Sequence, residues 1–376
     1  MFNIFERILW LFSSYTDPQE RKVGEFLNAV SHTPSHYQKQ QLIALMQTDL
    51  VRLNLMLEYR FKGYKKLNKS YRKQCYTNAE KMKALFLKKN MSERRMASNE
   101  KLNYLMQIAH FLKPGQYYQY EKNVAFERML KDPGQSKLIG DCNQIVTFYI
   151  YLYSLKFPVT DLKIKLLPDH VCLHFEGKDL EATLGILTEY KNYDFIGSIE
   201  EIISTNLLDV PDLKQKRQSV SARNFLRASK LAKAISTHKA ITEHNLKIAY
   251  QKIVVELLKE KKFSQAREFA KESHETKLVE SVMKHEGLEK MNQKKFEAAR
   301  KLFNKIKFQE GLKACDQNEL YEQMEKIKHC KTIKDYRQKL KNLNRIKVLA
   351  RSIDNTEIIA FTERILSAIK NSKNTN

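Results

Sequence analysis

"TDLKIKLLPDHVCLHFEGKDLEATLG" (residues 160–185) alternates apolar and polar side chains twice over. Leu162, Ile164 and Leu166 interleave with Lys163 and Lys165, the period of a strand with one apolar and one wet face. Pro168-Asp169 breaks the run, and Val171, Leu173 and Phe175 resume it. Glu176-Gly177-Lys178 then supplies a turn, after which "DLEAT" returns as a partner strand. Just upstream, "LIGDCNQIVTFYIYLYSLKF" (138–157) predicts a helix that starts beside Cys142 and runs through Val146, Tyr149 and Leu152. One helix followed by a small antiparallel sheet is an α+β unit.

Helical patterning surrounds this unit on both sides. "KVGEFLNAV", "QLIALMQTDLVRLNLMLEYRF" and "NEKLNYLMQIAHFLK" repeat apolar residues at three and four positions, so residues 1–113 read as a basic helical region. Pro114-Gly115 punctuates the chain, and residues 114–210 hold the α+β unit. From 211 to 376 the helical period returns with an internal repeat. "VVELLKEKKFSQAREFA" (254–270) and "GLEKMNQKKFEAARKLF" (287–303) superpose at an offset of 33 residues, setting Phe263 on Phe296 and Ala266 on Ala299. The period and the small residue at a close helix contact resemble tetratricopeptide-type helical hairpins. Flanking helices such as "NFLRASKLAKAI" and "YEQMEKIKHCKTIKDYRQKLKNL" are expected to complete or cap the array.

Composition bounds the class of protein. The 376 residues with 42% hydrophobic content can build real cores, which argues against a disordered chain. Five scattered cysteines without a CxxC pair point away from a disulfide framework or structural zinc and fit a reducing, cytoplasmic setting. No stretch reaches the length of a membrane span. Phe2, Phe5, Ile8, Leu9 and Phe12 make an amphipathic helix expected to pack on its own protein. The net charge of +24 peaks in residues 60–101, with 14 Lys plus Arg against three Glu. Such a block would attract nucleic acid, yet no nucleic-acid motif accompanies it, and Lys-rich drift with a gain in solubility is the favoured reason for it.

The residues that can carry chemistry lie in the middle segment. Cys142 follows Gly140-Asp141 at the expected helix start, where unpaired N–H groups and a partial positive charge favour a thiolate. His170 falls at the start of a candidate strand. Glu181, on the returning strand, is placed to orient the His170 ring. His170, Cys172 and His174 share a strand face, but three ligands in a straight row do not converge on one ion without a bend, so no metal is expected. The aromatics Phe148, Tyr149, Tyr151 and Tyr153 read as packing.

"GDC" with Cys142, "DHVCLHF" with His170 and "LEAT" with Glu181 and Thr183 resemble the transglutaminase-like superfamily, which uses a papain-type cysteine protease core. The resemblance spans about residues 115–205. It implies Cys142 as nucleophile, His170 as general base and acid, and Glu181 as orienting carboxylate, with no cofactor. The acid of the family is more often Asp, so Asp179, on the same strand face, is an alternative partner. Gln135 stands roughly where papain-like enzymes keep an oxyanion-binding glutamine. The implied activity is acyl transfer or amide hydrolysis on a protein or peptide, with the helical repeats binding a protein partner. A scaffold with a vestigial triad and a nucleic-acid binder are the rival expectations.

Overall fold

The computed structural model describes residues 13–30, 36–90, 99–122, 124–209 and 220–372. The chain forms two compact units, Met1–Ala249 and Tyr250–Asn376. The apolar helix expected over Phe2–Phe12 lies outside the described residues.

The first unit opens with four helices, α1 (Pro18–Ala29), α2 (His36–Leu57), α3 (Lys69–Asn90) and α4 (Glu100–Phe111). Their ends follow local chemistry. Asp17 caps α1 by accepting from the Glu20 N–H at 2.8 Å, with Pro18 in the first turn, and Asn99 caps α4. Next come β1 (Tyr118–Tyr120), β2 (Leu138–Gly140) and α5 (Cys142–Tyr153). A sheet of β3 (Lys163–Leu167), β4 (His170–Phe175), β5 (Lys178–Glu181), β6 (Ile186–Thr188) and β7 (Phe195–Ser198) follows, and then α6 (Glu201–Leu208) and α7 (Ala222–Ile235). Helix α8 (Lys239–Lys259) comes next. The class is therefore α+β: mostly helical, with one small antiparallel sheet.

The sheet runs β6-β5-β4-β3-β7, antiparallel throughout. The β4–β5 hairpin turns through Glu176 and Gly177 at φ 47° and 80°, the left-handed pair a two-residue turn needs. Register puts Ile164, Leu173 and Leu180 on one face and Lys165, Cys172, His174 and Asp179 on the other. The apolar face is buried, as the alternation predicts. The second face differs from the expected wet one. Lys165 is 3% exposed, with its Nζ 2.7 Å from Asp179 Oδ2, donating to the Tyr190 carbonyl at 2.6 Å, and lying 4.5 Å from the Tyr193 ring centre. The chain between β6 and β7 covers this face, and the charge is buried because a carboxylate and a carbonyl meet it.

The helices before residue 113 do not stand apart from the sheet. Leu53, Met82, Leu105, Val146, Ile164 and Ile202 belong to one continuous core. Residues Ala228, Leu231 and Ile235 of α7 join it too, so "NFLRASKLAKAI" packs into this core. Part of the basic block serves the same unit. Arg72 is buried with its Nε 2.7 Å from Glu20, Lys66 meets Glu127 at 3.0 Å and Lys81 meets Asp132 at 2.5 Å.

The second unit consists of the rest of α8 with α9 (Phe263–Glu272), α10 (Thr276–Asn292), α11 (Phe296–Lys305), α12 (Gln309–Glu325), α13 (Ile333–Gln338), α14 (Leu340–Ser352) and α15 (Thr356–Asn371). The 33-residue repeat is visible atom by atom. The Lys262 N–H donates to the Leu257 carbonyl and the Lys295 N–H to the Lys290 carbonyl, both at 2.8 Å. Lys261 and Lys294 take φ 56° and 60°. Ala266 and Ala299 are fully buried. Arg267 pairs with Glu286 and Arg300 with Glu319, again 33 residues apart.

Candidate active site

Asp141 creates the local geometry at Cys142. Its side chain accepts from the Asn143 N–H at 3.0 Å while Gln144 reaches back to the Asp141 N–H at 3.2 Å, a reciprocal cap that starts α5 at Cys142. The Cys142 N–H, in the first turn, has no carbonyl within the helix to meet. Burial and the neighbouring Asp209 push the Asp141 carboxyl up to about 7.

His170 begins β4 directly after Pro168 and Asp169, where Asp169 takes φ 55°. Its Nε2 lies 2.6 Å from Glu181 Oε2. With Nε2 so engaged, Nδ1 is the nitrogen left to meet the Cys142 sulfur. His170 is pushed up to about 10, first by its hydrogen bond to Cys142 and then by that to Glu181, against the opposing effect of burial.

Glu181 ends β5 and is held from three sides. The Thr183 N–H donates to its Oε1 at 3.0 Å and the Thr183 hydroxyl to the same oxygen, while the Tyr190 hydroxyl donates to Oε2 at 2.8 Å. Burial would raise its pKa, but the hydrogen bonds from His170, Thr183 and Tyr190 win and bring it down to about 2. The carboxylate is anionic and fixed.

The alternative acid does other work. Asp179 accepts from Lys165 and from the Tyr190 N–H, each at 2.7 Å, and its Oδ1 lies 2.7 Å from His174 Nδ1. Burial raises and these partners lower its pKa, with a net fall. It pairs with His174, four residues along β4 from His170, whereas Glu181 is the carboxylate that meets His170. Gln135 is exposed in the turn after Asp132 and is absent from the lining of the cleft that holds Cys142. The Asp132 carbonyl takes its N–H at 3.1 Å and holds it there, so it is not an oxyanion donor. His170 and His174 face different carboxylates, and Cys172, between them, is fully buried with its thiol pushed up to about 12 by burial and then by Asp179 and Glu181.

Cys142, 8% exposed, and His170 open into a cleft of about 670 Å³. The same cleft is lined by Asp141, Asp169, Asp194, Glu201 and Asp209 against one lysine, Lys122. Tyr190 is the contributor that sequence reading missed. It lies in a segment without periodicity, and only the "EAT" turn bringing Glu181 toward it makes its hydroxyl useful. No family model, curated protein or solved structure matches the chain.

Proposed function

We propose that the first unit is a cysteine-dependent acyl-transfer or amide-hydrolysing enzyme of transglutaminase-like type, acting on a protein or peptide. The observation that carries this reading is His170, which shares a cleft with Cys142 and meets a Glu181 carboxylate that three hydrogen-bond partners keep ionised. This is the nucleophile, base and orienting-acid arrangement of acyl-transfer chemistry.

In this mechanism Cys142 gives its thiol proton to His170 as the sulfur attacks a carbonyl carbon, and the carbonyl π electrons move onto oxygen. Collapse of the tetrahedral adduct breaks the C–N bond, and the departing amine takes its proton from His170. Neutral His170 then removes a proton from water, giving hydrolysis, or from an amine, giving transfer, as that nucleophile attacks the thioester. Glu181 stays ionised and stabilises the imidazolium at both stages. The C-terminal helical repeats, with their tetratricopeptide-like period, serve as the surface for a protein partner.

The test is alkylation of the intact protein with iodoacetamide near pH 7. Cys142 is expected to react about tenfold faster than a free thiol, because an oriented imidazole shares its cleft and can take the thiol proton. His170→Ala should remove that advantage. A Cys142 that labels no faster than free thiol, with no effect of His170→Ala, would sink the reading.

A further inference from the structure

The triad leaves one part of the chemistry without a side chain: the donor that meets the oxyanion once the sulfur has attacked. Gln135 cannot supply it from its exposed turn. The Cys142 N–H supplies one hydrogen bond, and papain-like chemistry works best with a second donor on the same oxygen.

Strand β1 brings a candidate to this position. It runs parallel to β2, with Tyr118 opposite Leu138 and Tyr120 opposite Gly140, two residues before Cys142. The Glu121 N–H donates to the Gly140 carbonyl at 3.1 Å and extends that register. On its other side β1 is tied to the turn that carries Glu181, because the Tyr118 hydroxyl donates to the Thr183 carbonyl at 2.9 Å. Residues two apart on a strand share a face. Tyr120 therefore projects on the same side as Tyr118, from a strand pinned between the backbone that presents Cys142 and the backbone that presents Glu181. It lines the cleft together with Cys142 and His170.

We infer that Tyr120 is a catalytic residue whose hydroxyl, with the Cys142 N–H, binds the oxyanion formed during acyl transfer; this rests on the acyl-transfer reading of the site. The hydroxyl is available for it. Tyr120 is 44% exposed, and its side chain has no hydrogen-bond partner among the described residues. It also stays protonated: burial first, and then the negative charges of Cys142, Asp141 and Glu181, raise its pKa above the ordinary tyrosine value. A neutral O–H on a residue that lines the cleft with Cys142 is the kind of donor that oxyanion stabilisation requires.

Two reagents separate this role from thiolate formation. Iodoacetamide alkylates sulfur by displacement at a saturated carbon and forms no oxyanion. With 4-nitrophenyl acetate the S–C bond forms, the carbonyl oxygen takes the charge, and collapse expels 4-nitrophenolate, which needs no proton from His170. In Tyr120→Phe the full-length protein should alkylate at the wild-type rate and release 4-nitrophenolate about 100-fold more slowly, the scale of losing one oxyanion donor. Normal alkylation also certifies that the variant is folded. Asn143→Ala, which alters a polar side chain next to Cys142 in the cleft, should leave both rates close to wild type. Equal slowing of both reagents would place Tyr120 on the thiol instead, and no slowing of acylation, or its loss in Asn143→Ala alone, would overturn the assignment. Loss of the His170 dependence of alkylation would remove the acyl-transfer reading itself, whereas a Tyr120→Phe failure with that dependence intact removes the inference alone.

Discussion

Tyr190 donates its hydroxyl to Oε2 of Glu181, the same oxygen that faces His170 Nε2. The tyrosine thus acts on the histidine through the carboxylate. In Tyr190→Phe the Glu181 pKa should rise and the His170 pKa rise with it, because a carboxylate oxygen relieved of one donor, and still ionised where His170 titrates, holds the imidazolium more strongly. The pH profile of Cys142 alkylation should show its upper transition displaced to higher pH, with a stability loss of about 1 kcal/mol for the lost hydrogen bond. An unchanged profile would mean that Tyr190 only braces the loop.

The same pair sets a pH window for stability. Glu181 is depressed to about 2, so its contribution is fully present above the ordinary glutamate range and is lost as pH falls through about 2. His170 is raised to about 10, so its contribution is fully present below the ordinary histidine range and is lost as pH rises through about 10. Urea unfolding should therefore show a wild-type advantage over Glu181→Gln between about pH 4.5 and 6.5 that shrinks at either extreme. A constant difference across pH would contradict the linkage.

Lys165 and Asp179 form a buried ion pair, and removing one partner leaves the other charge uncompensated. Lys165→Met is expected to cost about 3–5 kcal/mol in chemical denaturation. Asp179→Asn should damage stability more than chemistry, keeping the His170 dependence of Cys142 alkylation, whereas Glu181→Gln should lose it. Equal chemical effects from the two would return Asp179 to the catalytic group.

Gly287 lies in α10 where a Cβ would come within 2.3 Å of Phe303 Cε1, a ring that is fully buried. Gly287→Ala ordinarily gains about 1 kcal/mol of helix propensity. Here overpacking of about 1–3 kcal/mol should win, and the thermal transition of the full chain should fall. A rise would show that the ring can move aside.

The cleft holds five carboxyl-bearing residues and one lysine inside a chain of net charge +24. None of the five carboxyls forms an ion pair among the described residues. A cationic methanethiosulfonate should modify Cys142 faster than an anionic one, relative to their ratio on free cysteine, and rising salt should narrow the gap. The opposite preference would show that the chain's overall positive charge governs the approach.

Strand alternation at residues 162–175, the Glu176-Gly177 turn, the cap-and-helix start at Asp141-Cys142 and the 33-residue repeat are local, so periodicity and turn chemistry in the sequence determined them. The order Cys142, His170, Glu181 was legible for the same reason: each residue sits at the end of an element that its own neighbours define. Tertiary structure alone decided the rest, because those outcomes depend on which distant segments meet. It turned Lys165 from a wet-face lysine into a buried partner of Asp179 by laying the Tyr190–Tyr193 segment over the sheet. It gave Asp179 to His174, and brought Tyr190 to Glu181 and Tyr120 beside Cys142. It also moved Gln135 out to an exposed turn and drew the N-terminal helices and α7 into the core of the sheet. A buried charge is tolerated only where partners from elsewhere in the chain satisfy it, and no local pattern records those partners.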